Sequence, residues 1–580
     1  MTEADFYFTD DGTPRSERFG DIYYSPQDGL AESRTVFLEG CHLRQSWAGP
    51  RAEGRDFTVL ELGFGTGLNI AAAVQLWIRS GCPGNLHVFT VEAFVIARDQ
   101  AATALANWPE LAEFAQALTA QWPANRRGFH HMDFPQWRVS VTVALMEVEA
   151  ALDAWEGQAD AVFLDGFSPA VNPDMWSPAV FARIAAHTRP GARLATFTVA
   201  GHVRRGLQAA GFTVAKCPGY GRKRERLEAV FIGECQSPSP RPRRIAIAGA
   251  GIAGACLAWQ AGLFGVEADI FDPAPGSGAS GNPAALVTPR LDAGDNPISA
   301  LFADAFAYAV GFYGRLAPQA VIGRGVWQCA LDDREQARFG RISQQAGFAA
   351  GDLVPFGAGE LPDAPDLGGL QITPALYVSP AELLGVLMAG RPIVRTPLPD
   401  DLSGYDAVVL ACGDGILDRP DVALPLQPVR GQIESAAEDM DRAMAWGGYA
   451  VPQAAGMLFG ATHDRGDRGT DVRRASSEAN LANLARLLPD RAAALRDVEL
   501  VSRASVRVTS RDHLPVLGPV VDPRLGEVTP AIHVLTGLGS RGFCLAPLLA
   551  KAVLANLTGL APPLTAAAAR LLRPGRFVGP

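Results

Sequence analysis

Two short stretches carry residues whose types and spacing can do chemistry. In FTVLELGFGTGLN (Phe57–Asn69) an apolar, β-prone run breaks into Gly63, Gly65 and Gly67. Glycines at such a break let the backbone approach a ligand closely, and the alanine-rich IAAAVQLWIRS that follows supplies a helix N-terminus to face it. Glu61 leads the turn. Glu92 ends the next strand-like run, LHVFTVEAF, 25 residues past Gly67. A carboxylate there can accept two hydrogen bonds from ribose hydroxyls. The second stretch, RRIAIAGAGIAG, holds Gly249-x-Gly251-x-x-Gly254, and VEADIFDP ends a strand on Asp272, 18 residues past Gly254. That pairing sets a pyrophosphate at a helix N-terminus and a carboxylate on a ribose.

Each turn needs a parallel sheet to hold it, and the surrounding pattern supplies one. In ADAVFLDGFSPAVNPDMW a buried strand, 161–164, runs into Asp165. Ligands of doubly wound sheets sit at the carboxyl ends of strands, so Asp165 stands either beside the reacting group or as a strand-end turn residue. Phe167, two residues on, suits either a stacked base or the core. ARLATFT, FTVAKCP and EAVFIGE read as further strands and HVRRGLQAAGF as a helix. SPSPRPRR (Ser237–Arg244) cannot continue a helix or a central strand, which sets a boundary near 236–243. Arginines cluster at Arg204-Arg205 and in GRKRER, with Arg222, Lys223 and Arg224. Such clusters are either phosphate contacts or a solvated face.

The bulk numbers bound the answer. A chain of 580 residues exceeds one core and suits two to four domains. It is 48% hydrophobic and 19% charged, an ordinary globular balance. Net charge is −10, which argues weakly against a nucleic-acid partner, although totals hide local clusters. The polar, acidic start is not a signal peptide, and no apolar run is long enough to span a membrane. The eight cysteines are scattered without a C-x-x-C, so neither a metal site nor a disulfide framework is expected. A cytoplasmic location fits reduced thiols. The sequence does not set the oligomeric state, and a monomer is compatible with it.

The E-x-G-x-G-x-G form of the first turn resembles motif I of class I methyltransferases, which bind S-adenosyl-L-methionine. LDGFSPAVNPDMW, ATFTVAGHVRRGLQAAGF and GYGRKRERLEA closely resemble the methyltransferase domain of the bifunctional tRNA 5-methylaminomethyl-2-thiouridine enzymes. The resemblance covers most of residues 1–235. It implies that Glu61, Gly63, Gly65, Gly67, Asn69 and Glu92 hold the methyl donor, with Asp133 of HHMDFP on its adenosyl part. It makes Asp165 the proton acceptor, Phe167 a base contact, and Arg204, Arg205, Arg222, Lys223 and Arg224 contacts to tRNA phosphates.

The second fingerprint alone does not separate NAD from FAD. Three later segments resemble the D-amino-acid and glycine oxidase group. GSGASGNPAALVTPRLD (Gly276–Asp292) takes the place of a flavin-contacting helix, with Ser280, Gly281 and Asn282. YDAVVLACGDG (Tyr405–Gly415) carries Gly413, and IHVLTGLGSRGFCLAPLLAKAVL (Ile532–Leu554) carries Gly539, Ser540 and Gly542. In that group the FAD-binding Rossmann domain is discontinuous and an α+β substrate domain is inserted in it. The resemblance implies FAD on these residues together with Gly249, Gly251, Gly254 and Asp272. It puts Arg507 of SRASVRVTSRDHLPVLGP on a substrate carboxylate, Tyr449 in the pocket wall, and Arg541 as a further anchor or a flavin contact.

The expected organisation is therefore α/β. A methyltransferase domain occupies 1–235, a linker 236–243 and an oxidoreductase domain 244–580, with FAD-binding parts at about 244–300, 395–430 and 505–562. The segment from about 292 to 400 reads as short and Gly/Pro-rich. The expected activity is oxidative removal of a carboxymethyl group from the wobble uridine of a tRNA anticodon loop, then N-methylation of the exposed amine. A fused small-molecule amine oxidase and N-methyltransferase that never meets RNA is the alternative, and a non-catalytic flavin-bearing RNA binder stands last.

Overall fold

The computed structural model describes residues 5–48, 55–221, 223–233, 241–361, 368–419, 422–453, 455–520 and 531–577. The chain divides into two compact units, Met1–Ser239 with Pro563–Ala566, and Pro240–Pro562 with Ala567–Pro580. Arg222 and most of the expected linker lie outside the described residues.

The first unit opens with a small antiparallel sheet of β1 (Phe6–Phe8), β2 (Pro14–Ser16) and β3 (Asp21–Ile22). Its main sheet comprises β4 (Asp56–Leu62), β5 (Asn85–Glu92), β6 (Gly128–Phe134), β7 (Val139–Leu145), β8 (Ala159–Leu164), β9 (Thr188–Thr196), β10 (Phe212–Pro218) and β11 (Glu225–Phe231). The order is β10-β11-β9-β8-β4-β5-β7-β6, with β9, β8, β4, β5 and β7 parallel. Val59, Leu60 and Leu62 are buried, as strands covered by helices on both faces require. The helix Leu68–Arg79 turns Ile70, Val74 and Trp77 onto that core. The chain leaves β4 towards β5 on one side and returns to β8 on the other, so a crevice opens beyond the carboxyl ends of β4 and β8.

The second unit contains two sheets. The first uses β12 (Arg244–Ala248), β13 (Glu267–Phe271), β18 (Ile393–Val394), β19 (Ala407–Leu410), β26 (Val516–Pro519) and β27 (Ala531–Thr536). Its order is β18-β13-β12-β19-β27-β26, all parallel but for β26. Distant parts of the chain thus build one nucleotide-type sheet. Its switch point falls between β12 and β19, beside Gly249 and Gly413. The other sheet has ten strands: β14 (Ala285–Val287), β15 (Val321–Cys329), β16 (Leu353–Phe356), β17 (Gly369–Val378), β20 (Leu426–Ala436), β21 (Ala443–Ala445), β22 (Tyr449–Gln453), β23 (Gly456–Gly460), β24 (Asp464–Arg465) and β25 (Val501–Ser510).

Two expectations are corrected here. Gly276–Asp292 forms no long helix. It gives a short turn at Ala279–Gly281 and then β14, because three glycines and two prolines deny it a continuous ladder. The stretch 292–400, read as short and Gly/Pro-rich, carries regular elements. It holds a helix of 20 residues, Pro297–Leu316, opened by an Asn296 cap and a proline at the first turn, and then β15 to β17.

Candidate functional sites

In the first unit, the loops after β4 and β8 close on one another. Gly63 has φ +98°, and a Cβ there would lie 3.1 Å from the Gly166 nitrogen. The turn is held from the neighbouring strand. Glu92 Oε2 accepts from the Gly65 N–H at 3.0 Å and Oε1 from the Phe94 N–H at 2.8 Å. Each oxygen keeps a second lone pair for a ligand hydroxyl. Glu61 is 0% exposed; its Oε2 accepts from the Thr90 hydroxyl at 2.7 Å, and its Oε1 has no partner. Burial pushes its carboxyl up to about 8. An orphaned buried acceptor beside a glycine turn fits a ligand that brings a positive group, as S-adenosylmethionine does with its ammonium.

Asp165 follows β8 at the crevice. Its Oδ2 accepts from Asn69 Nδ2 at 2.7 Å, while Asn69 Oδ1 accepts from the buried Ser33 hydroxyl at 2.7 Å. That second bond fixes which way the Asn69 amide faces, so Asn69 positions Asp165. Burial raises the Asp165 carboxyl to about 7, against the opposing hydrogen bond from Asn69. Lys223 acts on it as a positive neighbour and Glu32 as a negative one, and Lys223 Nζ donates to Glu32 Oε1 at 3.0 Å. The Lys223 ammonium also stands over the Phe197 ring, 4.1 Å from its centre.

Phe167 is half-buried and stacks on Phe19 with ring centres 4.7 Å apart, and Tyr23 packs against it in a T-shaped pair at 5.2 Å. The Asp21 carboxylate accepts from the Ser168 N–H at 2.9 Å. The N-terminal segment therefore builds one wall of this site. Its sequence, FGDIYY, holds aromatics but no recognisable spacing, so nothing in it signals the role.

Asp133 does not belong here. It lies on β6, level with Ser140 on β7, which is level with His87 near the start of β5. Because β6 runs antiparallel, its last residues fall at the opposite end of the sheet from the glycine turn. Asp133 is buried and accepts from the Ser140 hydroxyl at 2.8 Å. The strand whose carboxyl end stands beside Glu92 is β7, and it is followed by Met146, whose N–H donates to the Glu92 carbonyl at 3.0 Å, and Glu147. Of the expected phosphate contacts, Arg204, Arg205, Lys223 and Arg224 are exposed.

The Glu61 shift gives a test. A carboxyl whose folded pKa is raised favours folding below its ordinary value of 4.5, and that contribution is lost as pH climbs through about 8. Glu61→Gln should therefore raise the thermal midpoint of this unit at pH 9 but not at pH 4. It should also weaken S-adenosylmethionine binding by about tenfold, one charge-assisted contact. Calorimetry with and without the methyl donor would check both.

In the second unit, a cavity of about 690 Å³ runs along the β12–β19 switch point. Gly249 has φ +106°, and a Cβ there would lie 2.4 Å from the Ala411 carbonyl oxygen. A Cβ on Gly254 would lie 1.8 Å from the Gly249 carbonyl oxygen, so this turn admits only glycine at both places. Asp272 Oδ2 accepts from the Ala250 N–H at 2.7 Å, and Ser280 Oγ accepts from the Ile252 N–H at 3.0 Å. Gly251, Asp272, Ser280, Asn282, Gly413, Gly539, Ser540 and Gly542 all line the cavity. The length of the cleft and its two bare glycine turns fit a dinucleotide such as FAD. Asp272→Asn is expected to weaken FAD retention about tenfold, the loss of one charge-assisted bond, read by flavin absorbance after dialysis.

The same cavity is closed by Tyr449 and Arg507. Arg507 sits on β25 opposite Val429, and Gly431 makes room for it: a Cβ there would lie 2.2 Å from Arg507 Nη2. Nη2 donates to the Thr462 carbonyl at 2.9 Å and Nη1 to Ser540 Oγ at 3.3 Å. Burial lowers its pKa, and among the described residues it forms no ion pair. The Thr462 loop is itself held. Thr462 Oγ1 accepts from the Gln432 N–H at 3.0 Å, and the fully buried Arg430 pairs with Asp464 at 3.0 Å. Arg541 also lines the cavity and donates to the Thr288 carbonyl and hydroxyl, both at 3.1 Å. Gly281 stands in the turn that Arg503 clasps: Arg503 donates to Asn282 Oδ1 at 2.5 Å and to the Ser277 and Gly278 carbonyls at 2.8 and 2.7 Å. Sequence reasoning missed Arg503, although it shares a strand face with Arg507, four residues away.

Fold and sites together define a fusion of an S-adenosylmethionine-dependent methyltransferase with an FAD-dependent oxidoreductase. Family models agree: one described as S-adenosyl-L-methionine-dependent methyltransferase matches residues 109–231, and one described as FAD dependent oxidoreductase matches 244–556. The chain belongs to the family of the tRNA 5-methylaminomethyl-2-thiouridine biosynthesis bifunctional protein MnmC. It is 48% identical to the member from Caulobacter sp. (strain K31), over 99% of this chain and 98% of the relative. It is 46% identical to that of Caulobacter vibrioides, over 98% and 97%. A solved glycine oxidase from Geobacillus kaustophilus covers 54% of this chain and 95% of its own, at 22% identity and a TM-score of 0.46. Among the described residues no helix is long and apolar enough to cross a membrane, and no His/Cys/Asp/Glu cluster could hold a metal ion.

Proposed function

We infer that this protein acts twice on the wobble uridine of tRNA. Its oxidoreductase domain removes the carboxymethyl group from 5-carboxymethylaminomethyl(-2-thio)uridine, and its methyltransferase domain then methylates the freed amine. The observation that carries this is the pairing of the MnmC-family match along 99% of the chain with two separate, intact sites. When bound, FAD accepts the two electrons of a C–H bond and S-adenosylmethionine supplies a methyl group.

In the oxidoreductase domain, which we assign to residues 244–580, Arg507 forks onto the carboxylate of the glycine-like group and holds its methylene at the flavin site. Tyr449 closes the wall behind it. Loss of the C–H hydrogen and its electron pair leaves an imine, and water splits it into glyoxylate and the primary aminomethyl group. In the methyltransferase domain, residues 1–235, Asp165 takes the proton that the amine loses as its lone pair attacks the methyl carbon. Phe167 offers its face to the uracil, and Arg204, Arg205, Lys223 and Arg224 meet phosphates of the anticodon loop. Phe167→Ala should raise KM for tRNA about ten- to a hundredfold, the value of one stacked base.

The test is mass spectrometry of nucleosides from tRNA bearing the carboxymethylaminomethyl group, incubated with the purified protein. Aminomethyl product without the methyl donor, and methylaminomethyl product with it, are expected. Unchanged nucleoside in both, with flavin bound, would overturn the reading. It would favour a small-molecule amine oxidase fused to an N-methyltransferase, which the net charge of −10 suits.

A further inference from the structure

A second cavity, of about 450 Å³, lies beside the flavin cleft, and the loop Gly537–Arg541 lines both. Its charged lining is all arginine: Arg290, Arg465, Arg507 and Arg541; His463, whose pKa burial lowers, and His513 also line it. Among the described residues no aspartate or glutamate lines it. The nearby carboxylates are engaged elsewhere. Asp464 pairs with Arg430 at 3.0 Å and Asp512 with Arg576 at 2.8 Å. Among the described residues Arg290 alone of the four forms an ion pair, with Asp292 at 3.0 Å, although Asp292 and Asp464 also act at longer range on Arg541 and Arg507. Arginines gathered around one cavity repel each other and favour an anion there.

One carboxylate does not account for this lining. A bidentate carboxylate is satisfied by a single guanidinium fork, which Arg507 supplies. With Arg290 paired to Asp292 and Arg541 bonded to Thr288, Arg465 and His513 remain, in a volume within the roughly 300–1,000 Å³ of small-ligand sites. We propose that this cavity receives a phosphodiester group flanking the modified nucleoside. The oxidoreductase site would then recognise its substrate as a nucleotide within a chain, not as a free N-substituted glycine. This rests on the reading that the substrate is tRNA. Arginine suits phosphate for the geometric reason it suits carboxylate, and a phosphate contact fixes register without reading sequence.

The test uses the FAD holoenzyme and the variants Arg465→Gln and His513→Gln, singly and together. Flavin absorbance is followed on titration with uridine 3′,5′-bisphosphate, with uridine, and with acetate as a small carboxylate. The bisphosphate is expected to bind at least about tenfold more tightly than uridine. The double variant should erase that gap and leave acetate binding unchanged. Equal affinity for bisphosphate and uridine in the unaltered protein overturns the proposal, as does a variant that loses acetate binding in proportion. Turnover of tRNA separates the two readings. A bisphosphate gap without tRNA oxidation sinks the tRNA substrate and keeps the anion site, whereas tRNA oxidation without a gap does the reverse.

Discussion

Replacing Asp165 by Asn is expected to slow methyl transfer to aminomethyl-tRNA by about 10²–10⁴-fold, the range of a lost general base, while leaving oxidation unchanged. The side chain keeps its size, and the amide can still meet Asn69, so the fold should survive. What disappears is a basic oxygen at the crevice. The attacking amine must shed a proton as it gains a methyl group, and Asp165 is the carboxylate that the Gly63–Gly166 approach brings to that place. Its pKa of about 7 suits the task, since a base near ambient pH combines ionisation with proton affinity. Methyl transfer should therefore rise with pH up to about 7, where burial has placed this carboxyl, and level off above it. The check is single-turnover transfer of labelled methyl from pH 5.5 to 9. Wild-type rates from Asp165→Asn, or a profile flat through pH 7, would remove Asp165 from the chemistry. Accumulation of aminomethyl nucleoside in the variant is the positive sign, because it shows the first site still running.

The cofactor turns were legible because their constraint is local. A glycine at positive φ, a strand before it and a carboxylate one strand later all follow from short-range geometry. Asp133 shows the limit. The segment HHMDFP ends an apolar run, and sequence alone does not say that β6 runs antiparallel. Reversing one strand carries Asp133 to the far end of the sheet and leaves Met146–Glu147 beside Glu92. Phe19 and Tyr23 were invisible for another reason: they reach Phe167 from more than 140 residues away, through a short sheet with no periodic core pattern. The stretch after Asp292 read only as short and Gly/Pro-rich, with no elements assigned to it. The apolar face of Pro297–Leu316 was overlooked, although its Asn296 cap and first-turn proline are ordinary start signals. Arg430 and Gly431 support Arg507 from across a strand pair, a relation fixed by register rather than by spacing.

Arg507→Met should lower kcat/KM for oxidation of carboxymethylaminomethyl-tRNA by about 30- to several thousand-fold, the 2–5 kcal/mol of a buried charge pair that loses one partner. Arg507→Lys should recover little of it. Lysine offers a point charge where the carboxylate needs a planar fork, and the burial that already lowers the Arg507 pKa would bias an ammonium there towards its neutral form. The surrounding structure is built for the longer group. Gly431 leaves the space, Thr462 and Ser540 take two of its donors, and the Arg430–Asp464 pair holds the Thr462 loop. FAD content is expected to stay within about twofold, because the Gly249–Gly254 turn and Asp272 proposed to hold the cofactor lie on a different sheet and Arg507 reaches that site only through one 3.3 Å bond to Ser540. Methyl transfer to tRNA that already carries the aminomethyl group should not change either. Those two controls separate a substrate contact from a general loss of fold. Turnover by Arg507→Met within about threefold of the unaltered enzyme would be under 1 kcal/mol, too little for a buried fork, and the carboxylate would have to be held elsewhere. The remaining lining offers Arg541 for that role, already spending one nitrogen on Thr288, so an Arg541→Gln variant would then show the loss instead.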